Sequence, residues 1–143
     1  MSQKELGRIH VRLPVELYNR MEATAASVKE GYPLLGVANI LVACVSCALP
    51  KLEEKLPKRK PFKLGGVTIN PLEIERVDSL KMHLYFGQHR KLIPRIQKLA
   101  KTAGVSASFI VRSSVELCAA AMEKSVPKGK PFKVLGTNVT FEG

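Results

Sequence analysis

Two stretches of the chain alternate apolar and polar residues with a period of two. In the first, Ile9, Val11 and Leu13 share one face, and Arg8, His10 and Arg12 share the other. In the second, Met82, Leu84 and Phe86 alternate with Lys81, His83 and Tyr85. Strand side chains point alternately to opposite faces, so each stretch reads as a strand with one apolar and one basic or polar face. The first strand ends at Pro14. After it, Leu17, Met21, Ala25 and Val28 form the stripe of an amphipathic helix over 15–28. Lys29-Glu30-Gly31-Tyr32-Pro33 breaks that helix. A second helix, from about Leu34 to Leu56, is apolar nearly all round through Leu49, which predicts a central, buried element. Pro50 lies inside it and must end or kink it.

The pattern then repeats. After the strand that starts at Lys81, Leu92, Ile96, Leu99 and Ala103 mark one face of a helix, with Pro94 expected in its first turn. Gly104 is the expected residue just past its end. Ser106 or Ser108 can cap the next helix, which carries Val111, Val115, Cys118 and Met122 on one stripe and runs to about Ser125. From the second helix onward the copies register at a constant offset: Ile40 matches Ile110, Val45 matches Val115 and Glu53 matches Glu123. Pro50 matches Ala120, a good helix former, so the first copy's long helix is expected to continue past a kink. Pro57-Lys58-Arg59-Lys60-Pro61-Phe62-Lys63 matches Pro127-Lys128-Gly129-Lys130-Pro131-Phe132-Lys133 and differs from it only where Arg59 meets Gly129. Each copy ends in a short strand-like tail, Val67-Thr68-Ile69 and Val139-Thr140-Phe141. The expected organisation is a flexible lead-in over 1–7, a first repeat over 8–69, a linker over 70–80 and a second repeat over 81–143, all in one compact domain. The linker holds Glu73, Glu75 and Asp78, the chain's acidic concentration.

Composition narrows the function. The chain has 143 residues, 45% of them apolar, enough to bury a core. Its net charge of +11 favours a polyanionic partner, such as nucleic acid or an acidic membrane surface, over a neutral one. No apolar segment follows the first Met, so no signal peptide is expected. The longest apolar run, residues 37–49, falls short of the roughly 20 residues needed to span a bilayer. Three cysteines, two of them in an apolar helix, fit a reducing cytoplasm better than a disulfide framework.

Strand, helix, helix, with basic residues on the strand's outer face, resembles the ribbon-helix-helix fold of the Arc and Met repressor type. The resemblance covers residues 8–56 and 81–125. It implies a mostly α protein with one short antiparallel ribbon. Because both halves lie in one chain, it also implies an intrachain pseudo-dimer of two ribbon-helix-helix units. In that family the ribbon enters the DNA major groove, where three alternating outward residues of each strand read bases. Those positions fall here on Arg8, His10 and Arg12 and on Lys81, His83 and Tyr85. The family also grips phosphates at the start of the second helix, which here means Gly36 in the first copy and Ser106 and Ser108 in the second. Single-chain tandem versions are similar to accessory proteins of conjugative and T-DNA transfer. The expected partners are therefore double-stranded DNA, a relaxase or other DNA-transfer proteins, and further copies of the chain on DNA. A transcriptional repressor of the same fold and an antitoxin-like interaction module are the alternatives.

Other features have plainer readings. Outward basic residues on a ribbon also protect a sheet edge from aggregation. Arg90 and Lys91, with Arg95, Lys98 and Lys101, form a polar helix face that suits phosphate contact and plain solvation equally. Cys44-Val45-Ser46-Cys47 has redox or zinc spacing, but Cys47 matches Leu117, so packing is the expected role. His10 and His83 alone are too few to hold a metal. No cofactor and no catalytic constellation is expected. The lysine motifs follow a helix about 30 Å long whose start would face DNA, so they are expected to be a solvated rim pointing away from it.

Overall fold

The computed structural model describes residues 7–72, 79–128, 132–135 and 138–141; of the last two stretches only the strand pairing is described. Residues 1–6 of the expected lead-in, the acidic residues Glu73, Glu75 and Asp78, and residues 129–131 with Lys130 lie outside these stretches.

The chain is mostly helical, with small antiparallel sheets. Strand β1 (Arg8–Pro14) runs directly into helix α1 (Val15–Ala26), and helix α2 (Val37–Lys55) follows. A 3-10 turn at Leu56–Lys58 leads to a hairpin of β2 (Phe62–Leu64) and β3 (Val67–Ile69). Strand β4 (Ser79–Tyr85), helix α3 (Leu92–Ala103), helix α4 (Ala107–Ser125) and a hairpin of β5 (Phe132–Leu135) and β6 (Asn138–Phe141) repeat the order.

The two period-two stretches pair with each other, antiparallel and within one chain. Arg8 faces Tyr85, His10 faces His83 and Arg12 faces Lys81. His10 thus lies against its own counterpart in the second copy. Ile9, Val11, Leu13, Leu84 and Phe86 are buried under the ribbon, while Met82 is only half-buried. Below them lie Leu17 and Met21 of α1, Ile40 and Val45 of α2, Ile96 of α3, and Val111 and Val115 of α4, all buried. Burying each such side chain contributes about 1.5–3 kcal/mol, and a two-stranded ribbon needs that platform to persist.

The halves also tie across to each other. Arg20 of α1 binds Glu123 of α4 in a two-point ion pair with distances of 2.6 and 3.0 Å. Arg95 of α3 binds Glu53 of α2 in the same way, at 2.5 and 3.1 Å. The matched glutamates therefore hold arginines of the opposite half. Hydrogen bonding from Arg20 pulls the Glu123 carboxyl below its ordinary range. Strand β3 crosses over too and packs on α4.

Several boundaries differ from the pattern read along the chain. Helix α2 starts at Val37 rather than near Leu34, because the Asn39 side chain takes the Gly36 N–H at 2.8 Å and closes the helix there. Leu34, outside it, is 80% exposed. Strand β4 starts at Ser79, so two residues of the expected linker extend the ribbon beside Leu13 and Pro14. As the match of Pro50 to Ala120 predicts, α2 continues through Pro50 and runs on to Lys55. Ile93, not part of the expected stripe, is buried, whereas Leu92 is half-buried. The lysine motif does not merely precede a tail strand. Its Phe62-Lys63-Leu64 is itself a strand, turned back through Gly65 and Gly66, whose φ values of 54° and 81° suit the two-residue hairpin turns that favour glycine.

Candidate nucleic-acid interface

The outer face of the ribbon presents Arg8, His10, Arg12, Lys81, His83 and Tyr85. Five of these are exposed and Arg8 is partly so. Strand alternation puts all six on one side, and the antiparallel register stacks them in three cross-strand pairs. Arg12 opposite Lys81 is a like-charge pair, which disfavours the ribbon on its own. The imidazoles of His10 and His83 lie with ring centroids 4.0 Å apart. Desolvation, then the charges of His10 and Arg8, hold the His83 imidazole below its ordinary value. At the third pair, Arg8 Nη1 donates to the Tyr85 hydroxyl at 3.0 Å, with the guanidinium 5.9 Å from the ring centre. The like-charged Arg12 and Lys81 and the two imidazoles make a surface suited to a polyanion.

Beside one end of the ribbon lies a groove of about 800 Å³. Its walls are His10, Arg12, Lys81 and His83 of the ribbon, Gly104, Val105, Ser106 and Ser108 at the start of α4, and Pro71 just past β3. Gly104 takes the left-handed conformation (φ 71°) that ends α3, and Ser106 caps α4 by accepting the Phe109 N–H at 2.9 Å. Ser108 acts differently. Its hydroxyl accepts the Arg12 backbone N–H at 2.8 Å and fixes the ribbon to the helix start. The first-turn N–H groups of Ala107 and Ser108 have no acceptor within the helix, which leaves partial positive charge facing the groove. Arg112, only 8% exposed, lines the groove with its guanidinium 5.0 Å from the centre of the Phe109 ring and 3.4 Å from the Glu116 carboxylate. Among the described residues no carboxylate lines this groove.

The matching end, at the start of α2, is smaller and plainer. A groove of about 320 Å³ is bounded by Asn39 and Val42 of α2, by Tyr85 and Phe86, and by the turn over 87–89. The Gly36 N–H is already engaged by Asn39, so the helix-start N–H groups left to a phosphate here are those of Val37 and Ala38. Arg90 and Lys91 are exposed directly after this turn and line neither groove. Arg112 has no match here; at the same offset the first copy carries Val42. That arginine was not among the residues singled out along the chain, because a charged residue between Val111 and Ser113 in a largely apolar helix shows its groove only once the ribbon is docked beside it.

Cys44 and Cys118 are buried in the contact between α2 and α4, and Cys47 is half-buried beside them. The Cys118 thiol donates to the Cys44 carbonyl at 3.6 Å. The neighbouring Cys118 thiol and burial push the Cys47 thiol well above its ordinary value, the opposite of an activated nucleophile. Among the described residues no group of three or more metal-ligating side chains converges, and no single helix is long and apolar enough to cross a membrane. Compared with family models, with curated proteins and with solved structures, the chain finds no match.

Proposed function

We propose that this protein binds double-stranded DNA sequence-selectively, laying the β1–β4 ribbon in the major groove as an intrachain pseudo-dimer of ribbon-helix-helix units over 8–69 and 81–143. The observation that carries the reading is the ribbon's outer face: six in-register side chains, five of them Arg, Lys or His on opposed strands, with a helix start at either end. Arginine bonds guanine in two-point fashion, and lysine and histidine donate to the same base edge. The N–H groups of Ala107 and Ser108, and of Val37 and Ala38, then meet phosphates on the two flanks. Because the strands present different triplets, the site it prefers is asymmetric, with one molecule bound in one direction. Directional binding suits an accessory role in DNA transfer, beside a relaxase acting on one strand, more than a palindromic operator.

Selection of binding sites from random duplexes, followed by a salt titration of the selected site, tests this. A single asymmetric consensus and a steep fall in affinity with salt are expected. Micromolar binding without sequence preference would remove the reading and favour a protein-interaction module.

A further inference from the structure

A strained residue marks the start of the β2–β3 hairpin. Arg59 is, among the described residues, the non-glycine residue with a left-handed backbone, at φ 54° and ψ 35°. Such a conformation disfavours residues with a Cβ, and the second copy places Gly129 at the matching position. The first copy keeps an arginine there, and its guanidinium reaches the opposite half. Nη2 donates to the Thr102 carbonyl at 3.3 Å, and a Cβ added to Gly104 would meet the guanidinium at 3.3 Å. The far end of α2 therefore lies beside the junction of α3 and α4, whose residues line the larger groove. Helix length alone had pointed the lysine motif away from the ribbon; the packing of α2 brings its first residues back toward it.

The hairpin register leads to the same place. Phe62 pairs with Ile69. Two residues past the end of β3 the chain reaches Pro71, a wall of the groove, and two residues before β2 it passes Lys60. The chain leaving the hairpin thus meets the groove wall at Pro71, and Arg59, just before the hairpin, lies against Gly104 of the same groove. Lys58 in the preceding turn, Lys60 just before β2 and Lys63 within it are exposed.

We infer that the β2–β3 hairpin is a second DNA-backbone contact, a basic wing that grips phosphates on the flank where α4 starts and extends the footprint beyond the ribbon on that side. Arg59 orients the wing by tying it to the α3–α4 junction, and Lys60 and Lys63 supply the charge. This rests on the DNA-binding reading and adds to it a contact the ribbon does not make.

The test compares the full chain with a Lys60→Gln/Lys63→Gln variant on a fluorescein-labelled mixed-sequence duplex. Both side chains are exposed, so an unchanged thermal melt serves as the folding control. The slope of log affinity against log salt is expected to fall by about 1.8, or 0.9 for each phosphate lost. Hydroxyl-radical footprinting of the variant is expected to lose protection on one flank while the base preference stays as it was. If the unaltered protein binds DNA and the variant keeps both slope and footprint, the wing is wrong and the ribbon reading survives. If the unaltered protein does not bind the duplex at all, both fall. Arg59→Gly, which relieves the backbone and removes the tie, is expected to weaken binding despite a stability equal to or above that of the parent; a gain in affinity would also overturn the inference.

Discussion

The start of α4 is capped by a hydroxyl, tied to the ribbon by a second hydroxyl and lined by a buried arginine. The start of α2, which occupies the matching place in the other half, is closed by a glycine and an asparagine with a valine behind them. The same order of elements has produced one end with a hydroxyl cap, a buried arginine and no lining carboxylate among the described residues, and one end closed by a glycine N–H on an asparagine side chain. Duplication within one chain allows this: each copy varies alone, whereas in a dimer of identical chains any change appears twice. The strands show the same drift, since Val11 is buried to 2% exposure while its cross-strand partner Met82 remains half-buried.

The largest expected effect separates the two strands. Val11→Asp places an unpaired charge in the core beneath the ribbon and is expected to cost about 4 kcal/mol or more, enough to unfold many domains. Met82→Asp is expected to cost roughly half as much, since its side chain still reaches water. Urea denaturation measures both, and equal losses would mean that the two strands are packed alike. Next comes base reading. Arg12→Ala is expected to relax selectivity in one half of the DNA site by about 1–3 kcal/mol and leave the other half unchanged. Equal relaxation of both halves in a site-selection experiment would contradict a single bound orientation.

The caps differ by less. Ser106→Ala removes a side-chain cap and is expected to cost about 1 kcal/mol, whereas Gly36→Ala is expected to cost no more than that, with the Asn39 bond kept. A thermal melt of each variant decides it. Lys81→Thr removes the like charge opposite Arg12 and is expected to raise stability by about 0.2–1 kcal/mol while weakening DNA binding. A variant that loses both would mean that Lys81 supports the fold.

The smallest effect is that of pH. The folded ribbon holds His83 below the ordinary histidine value of 6.5. The unfolded chain therefore takes up its proton first as pH falls. The ribbon's stability is complete above that value and declines as pH drops through it. DNA affinity is expected to move the other way, rising as pH falls, because a protonated imidazole faces phosphate and base acceptors. His83→Asn should flatten both trends; a pH profile that survives the change would place the titrating group elsewhere.

The ribbon strands, their inward and outward faces, the two helix pairs and their repetition were all legible along the chain. They rest on local periodicities of 2 and 3.6 and on the matched positions of two copies, which need no knowledge of how distant segments meet. The strand Phe62-Lys63-Leu64 was not legible, because three residues are too short to announce a strand without their partner. Which segments share an end of the molecule was not legible, because it depends on long-range packing. Arg112 became a groove residue because the ribbon docks on the start of α4, and Arg59 came beside that groove because α2 ends at the α3–α4 junction. The direction of a helix end depends on how two helices pack. That is set by the summed burial of Ile40, Val45, Val111 and Val115 against each other and the ribbon, and no stretch of sequence records it alone.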